Sequence, residues 1–146
     1  MTEPLRVLFL CTHNSTRSQI AEALLRHFGK GDVAAYSAGT EVTRVHPMAL
    51  AVLAERGIAS DGLASKHLRD FANRRFDVAI TVCDRARDTC PVFPGAAERL
   101  HWSFPDPSAV EGTDAEKLDA FRAVLRGLEA RILPFNAAHR PRTEAE

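Results

Sequence analysis

Cys11 is followed by five residues and then Arg17, in the run Cys11-Thr12-His13-Asn14-Ser15-Thr16-Arg17-Ser18. A loop of this length between a strand and a helix can turn successive backbone N–H groups inward. That makes a nest for a tetrahedral oxyanion. Arg17 can grip two of its oxygens in bidentate fashion. Cys11 at the base of the nest would meet the central atom in line. The helix N-terminus and Arg17 both favour a thiolate there, and a thiolate in that place is a nucleophile. Asn14 and Ser18 carry side chains suited to holding a tight loop. On spacing alone, a buried cysteine at a strand end with a surface arginine nearby fits the pattern equally well.

Two further cysteines stand at 83 and 90. Were the residues between them helical, their Cα atoms would lie roughly 10.5 Å apart at 1.5 Å per residue, too far for a disulfide. A bond between them requires the segment to unwind. Asp84-Arg85-Ala86-Arg87-Asp88-Thr89 is strongly polar, so unwinding exposes little apolar surface. A core cysteine at 83 and an incidental one at 90 is the plainer alternative.

Asp106 sits between Pro105 and Pro107, after Trp102 and Phe104. An apolar, aromatic setting can keep a carboxyl proton available for general acid catalysis. An Asp-Pro turn is also a common structural device. The six histidines show no metal-ligand spacing, and no cysteine pair makes a zinc knuckle. His13 lies inside the anion loop, to tune it or to face solvent. His46 and His67 read as surface or capping residues.

Elements must place these groups together. Val7-Leu8-Phe9-Leu10 reads as a buried strand. Ile20, Ala21, Leu24, Leu25 and Phe28 recur at helical spacing up to Gly29. Val33 to Ser37 reads as a second strand, ending in the turn Ala38-Gly39-Thr40. Pro47 opens a second helix that Gly57 closes, and His67 to Asn73 forms a short one. Phe76 to Val82 is the central strand and Arg99 to Trp102 a fourth. Thr113 and Asp114 cap a final helix carrying Leu118, Phe121, Val124, Leu125, Leu128 and Ile132, which Pro134 ends. Residues 1–136 form one domain and 137–146 a frayed tail. Alternating strands and helices imply an α/β fold with a parallel sheet and helices on both faces. Cys83 ends a strand that can lie beside the first one, about 4.8 Å away. Cys11 and Cys83 then leave the same carboxyl edge, where open parallel sheets place their sites.

The chain has 146 residues, 45% hydrophobic and 26% charged, and a net charge of +0. That fits one soluble domain and gives no global pull toward nucleic acid or anionic membrane. No apolar run is long enough to span a bilayer. The expectation is a cytoplasmic monomer, where reduced thiols make a structural disulfide a poor explanation for three cysteines.

Val7 to Leu25, reading VLFLCTHNSTRSQIAEALL, resembles the catalytic loop and first helix of the low-molecular-weight tyrosine phosphatase superfamily. Ser18-Gln19-Ile20-Ala21-Glu22 is closer to its arsenate reductase branch, since the phosphatase branch usually has Ser-Pro at Ser18-Gln19. The stretch Thr81 to Pro91 is similar to the redox segment of thioredoxin-coupled arsenate reductases. The resemblance implies a four-stranded, three-layer sheet and an oxyanion held by Thr12, His13, Asn14, Ser15, Thr16, Arg17 and Ser18. It implies a relay from Cys11 to Cys83 to Cys90, and Asp106 as general acid. The substrate would be arsenate, with phosphate or sulfate as mimics. No cofactor is bound, and an external thioredoxin-type dithiol supplies electrons. The tyrosines common after the acid in phosphatases are absent, with Ser108 and Ala109 in their place. Some members bind potassium near equivalents of Asn14, Glu22 and Ser37 with a further acid. Lys66 stands where that acid would be, so its ammonium is expected in place of the cation. The rival implications are a phosphatase acting on phosphotyrosine or a small phosphate ester, or a non-catalytic oxyanion-binding or redox-sensing module.

Overall fold

The computed structural model describes residues 3–84 and 91–139. Four strands form one sheet: β1 (Leu5–Cys11), β2 (Val33–Gly39), β3 (Phe76–Thr81) and β4 (Ala96–His101). Their order is β2-β1-β3-β4, and every neighbouring pair is parallel. Three α-helices accompany them: α1 (Arg17–Gly29), α2 (Pro47–Glu55) and α3 (Asp114–Ala138). The expected four-stranded parallel architecture is present.

The two central strands are apolar on both faces, which explains the unbroken run in β1. Val7 and Phe9 join a core with Ile20, Leu24, Leu53, Phe121, Leu125 and Leu128 from the three helices. Leu8 and Leu10 face the other way, into a smaller core with Phe71, Phe76 and Phe93. Among the described residues, that face carries the 3-10 turn Leu68–Phe71. Arg74 lies over the Tyr36 ring, 4.7 Å from its centroid, and closes this aromatic cluster.

Several boundaries differ from the sequence reading. β4 starts at Ala96 and ends at His101 instead of spanning Arg99 to Trp102. The short helix is the 3-10 turn Leu68–Phe71. Two further shifts bear on packing. β2 runs on through Ala38 and Gly39, because Leu10 and Cys11 extend the parallel ladder there. Gly39 is required by close approach and not by a turn. A Cβ at this position would come within 2.5 Å of the Thr12 carbonyl oxygen and 2.7 Å of that of Cys11. A side chain would therefore push on the catalytic loop.

The last helix also passes through Pro134 to Ala138. Proline inside a helix removes one hydrogen bond and costs about 3 kcal/mol. Packing beyond it offsets that cost. Phe135 is buried, lies edge-on to Trp102 at 5.7 Å and stacks on His139 at 4.1 Å. Asn136 Nδ2 donates to the Phe28 carbonyl. Ala137 and Ala138, read as the start of a tail, are thus helical, and residues 140–146 lie outside the described residues. At its other end α3 carries a full capping box between Thr113 and Glu116.

Candidate active site

Cys11 is the last residue of β1, and Arg17 the first of α1. The loop between them is held from several sides. Asn14 takes a left-handed backbone conformation, φ 49°, which asparagine tolerates better than most residues. Its buried side chain is used twice: Nδ2 donates to Ser18 Oγ at 2.8 Å, and Oδ1 accepts from the Lys66 backbone N–H at 2.8 Å. Gln19 Nε2 donates to the Asn14 carbonyl at 2.9 Å and the Ala64 carbonyl at 2.8 Å. Thr43 Oγ1 and Ser65 Oγ both donate to the His13 carbonyl. The Thr12 carbonyl accepts from the N–H groups of Thr40 and Glu41. The carbonyls of Thr12, His13 and Asn14 are thereby each engaged by groups from outside the loop or from α1.

Ser18 Oγ lies 2.8 Å from Cys11 Sγ. With Cys11 as a thiolate, Ser18 Oγ, which accepts from Asn14 Nδ2, directs its hydroxyl hydrogen at sulfur. That is the sense of hydrogen bond a thiolate accepts. Cys11 is a free, buried cysteine at the floor of a cleft of about 200 Å³. Thr16, Arg17, His46 and Asp106 line the same cleft. A larger depression of about 840 Å³, at the opposite end of the sheet beside Arg6, Arg74 and Asp77, is lined by no cysteine and is remote from this chemistry.

Arg17 is buried, and its Nη1 donates to the Phe104 carbonyl at 3.0 Å. This bond ties the anion loop to the segment that carries Asp106. Phe104 packs on α3 over Gly127, where a Cβ would come within 2.7 Å of the ring. Asp106 itself caps the 3-10 turn Pro107–Ala109, with Oδ1 accepting from the N–H and the hydroxyl of Ser108. The expected apolar enclosure is not found. Asp106 is half-buried at the cleft wall, because the flanking Ser103, Pro105 and Ser108 are exposed.

Cys83 is fully buried just past β3. Leu10 pairs with Thr81, and the Val82 N–H donates to the Leu10 carbonyl at 2.9 Å. Cys11 and Cys83 therefore leave adjacent parallel strands at the same carboxyl edge. Cys11 is free, whereas Cys83 is disulfide-bonded. Cys90, and with it the expected change of shape between 84 and 90, lies outside the described residues.

Behind the loop, the Glu22 carboxylate is completely buried. Ser37 Oγ donates to its Oε1 at 2.6 Å, Arg26 pairs with Oε2, and Lys66 Nζ stands 3.7 Å from Oε1. Burial pushes the Lys66 ammonium below its ordinary range, and Glu22 opposes that shift. The lysine thus occupies the neighbourhood of Asn14, Glu22 and Ser37. No group of three or more metal-ligating side chains exists among the described residues.

His13 lines the cleft and also faces solvent. It is half exposed and pairs with Glu41, 2.8 Å away. His67 caps the 3-10 turn, as read from the sequence. His46 caps α2, Nδ1 accepting from the Met48 N–H at 3.1 Å, but its ring also lines the cleft. Sequence reasoning missed this second role. The available signal was its place just before Pro47, which fixes it at a helix start. Nothing in the spacing shows that this helix start abuts the loop, where the His46 N–H donates to the Ser15 carbonyl at 3.0 Å.

Comparison with known proteins agrees with this geometry. The model of the low molecular weight phosphotyrosine protein phosphatase family matches residues 6–140. An arsenate reductase of Halalkalibacterium halodurans is 39% identical over 129 residues, covering 88% of this chain and 93% of its own. A glutaredoxin arsenate reductase of Synechocystis is 33% identical, covering 87% of this chain and 92% of its own. A solved arsenate reductase in a phosphate-binding state superposes with a TM-score of 0.75 at 31% identity, covering 92% of this chain and 98% of that one. The chain belongs to the low molecular weight phosphotyrosine protein phosphatase family, on the side of its arsenate reductase members.

Proposed function

We propose that this protein is an arsenate reductase that works through a Cys11, Cys83, Cys90 thiol relay. The observation that carries the reading is the placement of Cys83 just past the end of β3, the strand next to that of Cys11, at the same sheet edge. A phosphatase has no use for a second cysteine there. A reductase needs one within reach of the first.

The proposed steps are as follows. Arsenate sits in the loop, held by its N–H groups and the Arg17 guanidinium. The Cys11 thiolate attacks arsenic, a sulfur–arsenic bond forms, and the departing oxygen takes a proton from Asp106 and leaves as water. The Cys83 thiolate of the reduced enzyme then attacks the Cys11 sulfur. The sulfur–arsenic bond breaks, its electron pair stays on arsenic, and arsenite departs. Cys90 attacks Cys83 and frees Cys11. An external dithiol reduces the resulting disulfide. A thioredoxin is the reductant proposed, with no bound cofactor, acting on a monomer in the reducing cytoplasm. No described helix is long and apolar enough to cross a membrane.

The test is arsenate-dependent consumption of NADPH with thioredoxin and thioredoxin reductase, with parallel arms containing glutaredoxin plus glutathione, and mycothiol. Turnover in the thioredoxin arm supports the full proposal. Turnover confined to another arm reassigns the reductant. Absence of turnover in every arm, with aryl phosphate still hydrolysed, would favour the phosphatase reading.

A further inference from the structure

His46 is the cleft residue that the relay leaves unused. Its Nδ1 is taken up by the Met48 N–H. A ring nitrogen that accepts a backbone N–H carries no proton, so the neutral ring is fixed as the Nε2–H tautomer. The ring packs on Phe121 of α3, with centroids 4.7 Å apart, and the His46 backbone is tied to Ser15. Helix start, aromatic neighbour and loop thus hold the ring from three sides. His46 lines the same cleft as Asp106, Cys11 and Arg17.

We infer that His46 is a substrate-contacting residue whose Nε2–H donates to the departing oxygen of an inorganic oxyanion, opposite Asp106, and so favours inorganic oxyanions over aryl esters. The inference rests on the arsenate reductase reading. When Cys11 attacks arsenate, the departing oxygen begins as a hydroxyl or oxide, a poor leaving group. Asp106 delivers the proton that completes water, while His46 keeps its own proton and lends only a hydrogen bond. An aryl ester loses a resonance-stabilised phenolate, which needs such a donor less.

The surroundings favour the neutral ring. Burial pushes its pKa down and Arg44 acts in the same sense, while Asp106 opposes them. Arg17, His13 and Cys11 are the other ionisable residues lining the cleft, and the packing partner on α3 is the uncharged Phe121. Protonation would have to occur at Nδ1, at the expense of the cap on α2.

Two variants test the assignment together. His46→Asn retains a side chain that caps helices well. His46→Phe retains a ring against Phe121. Neither holds an N–H at the Nε2 position. In both, kcat/KM for arsenate should fall about 10- to 100-fold, the loss of one hydrogen bond to a charged group, and kcat/KM for p-nitrophenyl phosphate by a factor several times smaller. Equal losses with both substrates, or no loss with arsenate in either variant, would overturn the inference. Should the unaltered protein reduce no arsenate, the parent reading fails first and this one with it.

Discussion

Cys11 Sγ and Ser18 Oγ are 2.8 Å apart, and Asn14 Nδ2 donates to that same Ser18 oxygen. The nucleophile is therefore oriented by a chain that runs outward from Ser18 to Asn14 and then to the Lys66 backbone and the Gln19 side chain. Gln19 gives both hydrogens of its amide to backbone carbonyls, clamping the loop to residue 64.

Removing the hydroxyl should weaken the nucleophile without emptying the loop. Ser18→Ala is expected to lower kcat for arsenate and for aryl phosphate alike, by about 10- to 100-fold, since one charge-assisted hydrogen bond is lost. Phosphate affinity should change far less. Cys11→Ser should abolish both activities. Steady-state kinetics with both substrates, and phosphate titration by calorimetry, check these outcomes. Full activity in Cys11→Ser would remove this cysteine from the mechanism.

Lys66→Met keeps the backbone N–H that serves Asn14 but withdraws the ammonium from Glu22. The buried carboxylate then loses one of its two cationic neighbours. Stability should drop by about 1–3 kcal/mol, the usual cost of stranding a buried polar partner. Potassium should leave the melting temperature of the unaltered protein where it was, because Lys66 already supplies a positive charge. Thermal melts in sodium and in potassium salts compare the two directly. A rise with potassium in the unaltered protein would mean that Lys66 does not stand in for the cation.

His46 gives stability a pH dependence of definite sign. Its folded pKa is lowered from the ordinary 6.5, chiefly by burial. The unfolded chain thus binds the proton first as pH falls. Stability from this group is fully present above 6.5 and is lost on acidification from that value down to the folded pKa. Denaturant midpoints for the unaltered protein should fall more over this window than those of His46→Asn. Parallel slopes for the two proteins would show that the ring titrates alike folded and unfolded.

The site was legible in the sequence where local chemistry determines it. The apolar run of β1, the loop ending in Arg17 and the helical spacing from Ile20 to Phe28 place the nucleophile without any tertiary information. Asn14 and Ser18 announced themselves as loop-holding residues by type. What stayed hidden depends on contacts across the chain. Lys66 meets Asn14 from 52 residues away and Ala64 meets Gln19 from 45, and only the folded backbone brings them there. Gly39 looked like a turn residue because its real constraint, the Thr12 carbonyl, is distant in sequence. Pro134 looked like a helix stop because the aromatic packing of Phe135 on Trp102 cannot be seen in a local window. The enclosure expected for Asp106 failed for a related reason. Flanking prolines and aromatics define composition, whereas exposure is decided by how the turn sits on α3.

In the proposed relay Cys83 and Cys90 serve reduction alone, whereas Cys11, Arg17 and Asp106 serve any oxyanion. This division is tested most directly by measuring both activities in Cys83→Ser and Cys90→Ser. Each variant should lose multiple-turnover arsenate reduction with thioredoxin and keep most of its aryl phosphate hydrolysis, because hydrolysis needs only water once the Cys11 adduct has formed. Undiminished arsenate turnover in the double variant would contradict the relay and require an external thiol to attack the Cys11 adduct itself.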